Sequence, residues 1–196
     1  MPTLREIAGL PEIPAKLSES ALIMIDCQNT YRTGIMQLDG VEAALECAKL
    51  LLERSRKAGI PIFHIQHDAG VGSPYDITTE SGKIADLVAP TGDEPVIVKR
   101  FPDSFSSTTL DEQLKATGRK NLILAGFMSH MCVNSTARGG FDRGYTISVV
   151  ESATATRKLP DGKGGIIPAT EVQRNSLRGL ADLVAVIVDA ADAIPD

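Results

Sequence analysis

The 196-residue chain has no tryptophan, 4% aromatic residues, three cysteines and no apolar run of membrane-spanning length. Each scarcity excludes something. With so few aromatic rings, stacking platforms for single-stranded nucleic acid are not expected. Lys and Arg together number 20 against 25 Asp and Glu, a formal net charge of −5, and the basic residues form no cluster. That balance argues against nucleic acid and against anionic membrane surfaces as partners. A spanning helix needs about 20 consecutive apolar residues. The start, Met1-Pro2-Thr3-Leu4-Arg5-Glu6, lacks the apolar stretch of a signal peptide. Cys27, Cys47 and Cys132 form no CxxC pair, and an odd count without a framework points to a reducing, cytoplasmic compartment. One domain over residues 1–196 is expected, able to bury roughly 70% of its unfolded surface.

What the chain does have is a rhythm. Apolar runs at residues 21–25, 61–65, 96–98, 122–126, 146–150 and 183–188 alternate with helical spacing at about 40–57, 110–116, 130–141 and 170–180. Continuous apolar strands alternating with helices imply a parallel sheet covered on both faces. The expected architecture is α/β: a three-layer, doubly wound, mostly parallel sheet of about six strands. Two long connections, 68–80 and the Gly-rich 157–168, read as surface loops, the second flexible.

Ligands of such sheets bind beyond the carboxyl ends of the strands, and three reactive side chains fall there. Asp26 ends the first run, Lys99 the third, and Cys132 follows the fourth at a strand-to-helix corner. Free backbone N–H groups and the helix dipole favour a thiolate in a first helical turn, and the same N–H groups can hold an oxyanion. Asp26 would take the thiol proton and return it to a leaving amine. Lys99 would offset the carboxylate's effect on the thiol; one charge pair at about 4 Å and an effective dielectric near 20 is worth on the order of 4 kcal/mol. An isolated cysteine after a buried strand is more often a small hydrophobe. Its coincidence with Asp26 and Lys99 at one sheet edge raises the functional reading. Cys27 and Cys47 read as structural.

The segment Gly126-Phe127-Met128-Ser129-His130-Met131-Cys132-Val133-Asn134-Ser135-Thr136-Ala137-Arg138 resembles the signature of the isochorismatase-like cysteine hydrolases. Ala21 to Asn29, with Asp26-Cys27-Gln28, resembles that family's first strand; Pro95 to Phe101, with Ser104-Phe105, its lysine strand; Val149 to Ala153, the strand after the nucleophile helix. The resemblance covers about residues 18–190. It implies a Cys132, Asp26 and Lys99 triad, a cis Phe127–Met128 peptide, and an oxyanion hole from the Met128 and Cys132 amides. It also implies a small-molecule amide substrate and a homo-oligomer. Ser129 stands where the family carries threonine. The Asp-x-His metal pattern of the nicotinamidase branch is replaced by His64-Ile65-Gln66-His67-Asp68, so neither a metal nor another cofactor is expected. On a strand, His64 and His67 face opposite ways; one would pack and the other line the pocket. Tyr31, His67, Phe101, Phe105, Ser129 and His130 are candidate pocket residues, and Arg138 would make structural ion pairs. Two other activities remain open: vinyl-ether hydrolysis, which needs no thiol, and a non-catalytic redox sensor built on Cys132.

Overall fold

The computed structural model describes residues 1–196. The chain opens with a short helix α1 (Leu4–Ile7), capped by Thr3, and then alternates strand and helix: β1 (Ser20–Ile25), α2 (Val41–Ala58), β2 (Ile62–His67), β3 (Val96–Lys99), α3 (Leu110–Thr117), β4 (Asn121–Phe127), α4 (Cys132–Asp142), β5 (Thr146–Ala155), a hairpin β6 (Leu159–Pro160) and β7 (Ile166–Ile167), α5 (Ala169–Ala181) and β8 (Ala185–Val188). Six strands form one sheet in the order β3-β2-β1-β4-β5-β8, and every pair is parallel.

The central strands are apolar on both faces because both faces are covered. All six residues of β1 are buried. Leu22 and Met24 pack with Leu45, Leu51 and Leu52 of α2, while Ala21, Ile23 and Ile25 pack with Val133 of α4 and Leu177 and Leu180 of α5. This is the two-residue alternation of a strand read into two separate cores. Each fully buried Leu or Ile contributes about 1.5–3 kcal/mol. Edge strand β3 alternates instead, with Val96 and Val98 exposed and Ile97 and Lys99 buried.

Helix α2 ends where Gly59 takes a left-handed conformation, φ 65°, with Arg56 and Lys57 in its last turn. The expected helix start at His130 is two residues early: α4 begins at Cys132, after a tight corner in which Met131 and Val133 both donate to the Met128 carbonyl. The fifth strand runs five residues beyond its apolar run, to Ala155. Connection 157–168 is not a bare loop: β6 pairs antiparallel with β7, and the Asp161 carboxylate accepts from the Lys163 and Gly165 amides in the turn.

Chain order runs outward from β1 through β2 to β3, then returns to β4 and runs outward the other way through β5 to β8. The reversal lies between β1 and β4. Beyond their carboxyl ends lies the place where a doubly wound sheet binds ligands. Asp26 follows β1 there, and the corner leading to Cys132 follows β4.

Candidate active site

The site is built from strand ends. Asp26, just past β1, has φ 48°, and the Gln28 amide donates back to its carbonyl at 2.7 Å. An aspartate tolerates this left-handed turn better than most residues. Gly126, paired with Ile25 on the neighbouring strand, has φ 114°; a Cβ there would meet the Ile25 carbonyl oxygen at 1.9 Å, so only glycine lets the strands approach so closely.

Lys99 is the hub. Its Nζ lies 2.8 Å from Asp26 Oδ2, 3.3 Å from Cys132 Sγ, 3.2 Å from His67 Nδ1 and 3.1 Å from the Phe101 carbonyl. The ammonium's three donors go to the sulfur, the imidazole and the carbonyl. Asp26 Oδ2 completes the set as a buried ion pair at 2.8 Å. Asp26 and Lys99 are fully buried, and Cys132 is 5% exposed.

Burial sets the proton positions. It pushes the Asp26 carboxyl above its ordinary value, with Lys99 pulling back only in part. Burial, then the Asp26 charge, pushes the Cys132 thiol up to about 12. Burial alone would lower Lys99, but the charges and hydrogen bonds of Asp26 and Cys132 together outweigh that and raise it. Desolvation and the carboxylate thus oppose the thiolate that Lys99 and the helix start favour. The thiol and the carboxyl, both raised by burial, thus flank one ammonium.

Behind the sulfur, the Phe127–Met128 peptide is cis. No protein acceptor takes the N–H of Met128 or of Cys132. The corner carrying these amides is pinned on both sides: Ser129 donates its N–H to the Ala155 carbonyl and its hydroxyl to Gln173 Oε1 on α5. Thr136 of α4 ties the lysine segment to the nucleophile helix through the Ser104 amide and hydroxyl.

The proposed pocket residues divide. Tyr31 lies in the core, edge-on against Phe127 and Tyr75, its phenol held well above its ordinary value by burial and then by the Asp26 and Cys132 charges. His67 stays as the acceptor for Lys99; burial and then the lysine charge lower its pKa. His64, on the opposite face, packs against Glu94 at 2.9 Å. Phe101 contributes its carbonyl, while its ring is 52% exposed. Phe105 is a correction: it lies in the core, stacked on Tyr145 and pressed against Gly140, because α4 approaches the sheet closely there. Ser129 serves the corner rather than a pocket, and His130 turns its Nδ1 to the Thr156 hydroxyl at 2.5 Å. Arg138 makes no ion pair; its Nε donates to Asn134 one turn back.

Three site residues escaped the sequence reading. Gln28 is buried and clamps β1 to β2, donating to the His67 and Gly82 carbonyls and accepting the His67 N–H. Its place in the Asp-x-Gln motif was the available signal. Tyr75 stacks edge-on with His67 at 4.9 Å and with Tyr31 at 5.7 Å, carried by a turn-rich loop without periodicity. Arg157 lies just past β5, next to Thr156, which bonds to His130.

No group of three or more His, Cys, Asp or Glu side chains is arranged to hold a metal ion, and no helix is long and apolar enough to cross a membrane. Residues 20–192 match the isochorismatase domain model. A solved isochorismatase from Pseudomonas putida superposes with a TM-score of 0.94 at 38% identity, over 98% of this chain and 98% of that one. A secreted isochorismatase effector of Verticillium dahliae is 33% identical over 98% of this chain and 99% of its own length. A streptothricin hydrolase of Streptomyces noursei is 31% identical over 89% of this chain and 70% of its own. Hydrolases, some of them named as amidohydrolases, are thus among its relatives. The chain belongs to the isochorismatase family.

Proposed function

We propose that the chain is a cysteine amidohydrolase acting on a small amide. The observation that carries this reading is the position of Lys99 Nζ, in contact with both the Asp26 carboxylate and the Cys132 sulfur beneath two unpartnered backbone amides. Asp26 accepts the thiol proton as sulfur attacks the carbonyl carbon. The protonation states suit this step: the proton moves between two acids whose affinities burial has raised together, and Lys99 compensates whichever anion results. The Met128 and Cys132 N–H groups hold the tetrahedral oxyanion. Collapse breaks the C–N bond, and Asp26 returns the proton to the departing ammonia or amine. Water, deprotonated by Asp26, then attacks the thioester carbonyl and releases the acid and the free thiol.

A redox-sensing thiol fits less well. Sensor cysteines are exposed and of low pKa, whereas Cys132 is 5% exposed and pushed up to about 12. The test is intact-mass detection of an acyl adduct during turnover of a small-amide library. The expected adduct maps to Cys132 and is absent from Cys132→Ala, whose turnover drops by at least about a thousandfold. Undiminished hydrolysis by Cys132→Ala would overturn the reading.

A further inference from the structure

His67 closes β2, Lys99 closes β3, and the parallel register sets the two side by side. Their side chains therefore leave the sheet on the same face. His67 Nδ1 lies 3.2 Å from Lys99 Nζ. An ammonium has three donors and no acceptor, so the ring nitrogen facing it must be bare. The imidazole is accordingly neutral, with its proton on Nε2. Its setting is fixed from several sides. The Gln28 side chain accepts the His67 N–H and donates to the His67 carbonyl, and Tyr75 packs edge-on at 4.9 Å. The next residue, Asp68, donates its N–H to the Lys99 carbonyl.

Lys99 serves four neighbours with three protons. Besides His67, they are Cys132 Sγ at 3.3 Å, the Phe101 carbonyl at 3.1 Å and Asp26 Oδ2 at 2.8 Å. Three hydrogens on one nitrogen turn as a unit, so fixing two of them fixes the third. His67 Nδ1 and the Phe101 carbonyl are the two uncharged acceptors, and neither takes part in the amide chemistry. With both engaged, the third hydrogen points at the sulfur. Without Nδ1 the ammonium can turn, and the carboxylate, as the stronger acceptor, draws that donor away. A neutral acceptor also adds no second negative charge, which would push the thiol further up. The charges facing the ring are Lys99 from β3, Asp26 from the end of β1 and Asp68 next in the chain. Burial and then Lys99 hold its pKa below 6.5, so the ring stays neutral near neutral pH.

We propose that His67 is a positioning residue of the Cys132 site: its bare Nδ1 holds the Lys99 ammonium in the rotation that presents one N–H to the sulfur. In this role it acts only through Lys99. A packing role, as the partner of Tyr75 alone, would need the shape of the ring but not its nitrogen. The proposal deepens the amidohydrolase reading and rests on it for turnover, but the hold of Lys99 on the thiol can be measured without any hydrolysis.

The experiment compares His67→Leu, which removes the acceptor, with His67→Asn, whose side-chain oxygen falls close to the place of Nδ1. Cys132 is alkylated with iodoacetamide and the adduct located by peptide mass. Cys47, half-buried on α2, serves as the internal reference thiol. Losing the aimed donor raises the thiol pKa, so Cys132 should react about tenfold more slowly in His67→Leu, one pK unit's worth of thiolate. His67→Asn should stay within about twofold of wild type, with Cys47 unchanged in both. For a small amide, kcat should fall by about tenfold or more in His67→Leu with KM little changed, and His67→Asn should recover most of it. Equal Cys132 rates in wild type and His67→Leu overturn the proposal, as does a His67→Asn variant as slow as His67→Leu. Should His67→Leu fail to fold, long-range proton–nitrogen NMR of the wild type decides, with the His67 signals identified by their loss in His67→Asn. A bare Nδ1 and a protonated Nε2 near neutral pH sustain the proposal, and a proton on Nδ1 overturns it. If the alkylation order holds while no amide turns over, the positioning role stands and the amidohydrolase reading alone is lost.

Discussion

Lys99 Nζ sits 2.8 Å from Asp26 Oδ2 with both side chains wholly inside the protein. Breaking a buried pair from one side strands the other charge and costs about 3–5 kcal/mol, while replacing both partners can be nearly neutral. Lys99→Met alone should therefore lose about that much stability in urea unfolding. Asp26→Asn combined with Lys99→Met should recover most of it. Strictly additive losses in the double-mutant cycle would count against a coupled pair.

The thiol should remain protonated at neutral pH. Subtracting the 240 nm absorbance of Cys132→Ala from that of the wild type should reveal no thiolate step between about pH 6 and pH 9, since burial and Asp26 push this group up to about 12. Asp26 must be ionised to act as base, and its carboxyl is raised by burial above 3.8. The acid limb of kcat/KM should accordingly lie above that value, as an apparent constant of the coupled site. A thiolate titrating below about pH 8 would contradict this arrangement.

Acid should weaken the fold in two stages. Burial lowers His64 in the folded chain, so below about pH 6.5 the unfolded chain binds a proton that the folded one refuses, and stability falls as pH falls. Glu94 acts in the same direction at lower pH. Burial alone would raise it, but Arg56, the Thr91 N–H and His64 bring it down from 4.5 to about 2. Its contribution is full above about 4.5 and is lost as pH falls towards 2. Glu94→Gln should thus be less stable than wild type at pH 7, with the gap narrowing towards pH 2 in urea unfolding curves. A gap independent of pH would argue that the carboxylate charge is not what matters.

Phe105 separates core from pocket. Phe105→Leu should cost about 1–2 kcal/mol through imperfect repacking against Tyr145. It should leave KM for the cleaved amide within about twofold of wild type. A large KM change without loss of stability would restore Phe105 to the substrate wall.

Most of the frame was legible because it depends on local pattern. Runs such as 21–25 and 122–126 are apolar throughout since both sheet faces are covered, and glycines such as Gly59 mark where helices stop. Asp26, Lys99 and Cys132 were legible because each ends or follows such a run. Phe105 read as a pocket wall from its place beside Ser104 in the lysine-strand motif, but its ring packs on Tyr145 in the core that also holds Cys132. Gln28 and Tyr75 act through partners far along the chain, Gly82 and His67 among them, and no local periodicity announces such contacts.

By itself, the sequence determined the class of the fold, the order of its elements and the three side chains that could carry chemistry, because hydrophobic periodicity and turn residues act over a few neighbours. Only the tertiary structure decided that β1 and β4 meet at the switch point, that the lysine's donors converge on sulfur, imidazole and carbonyl, and that burial pushes the thiol up. Those outcomes depend on desolvation and on distances across strands, which exist only once the sheet has closed around them.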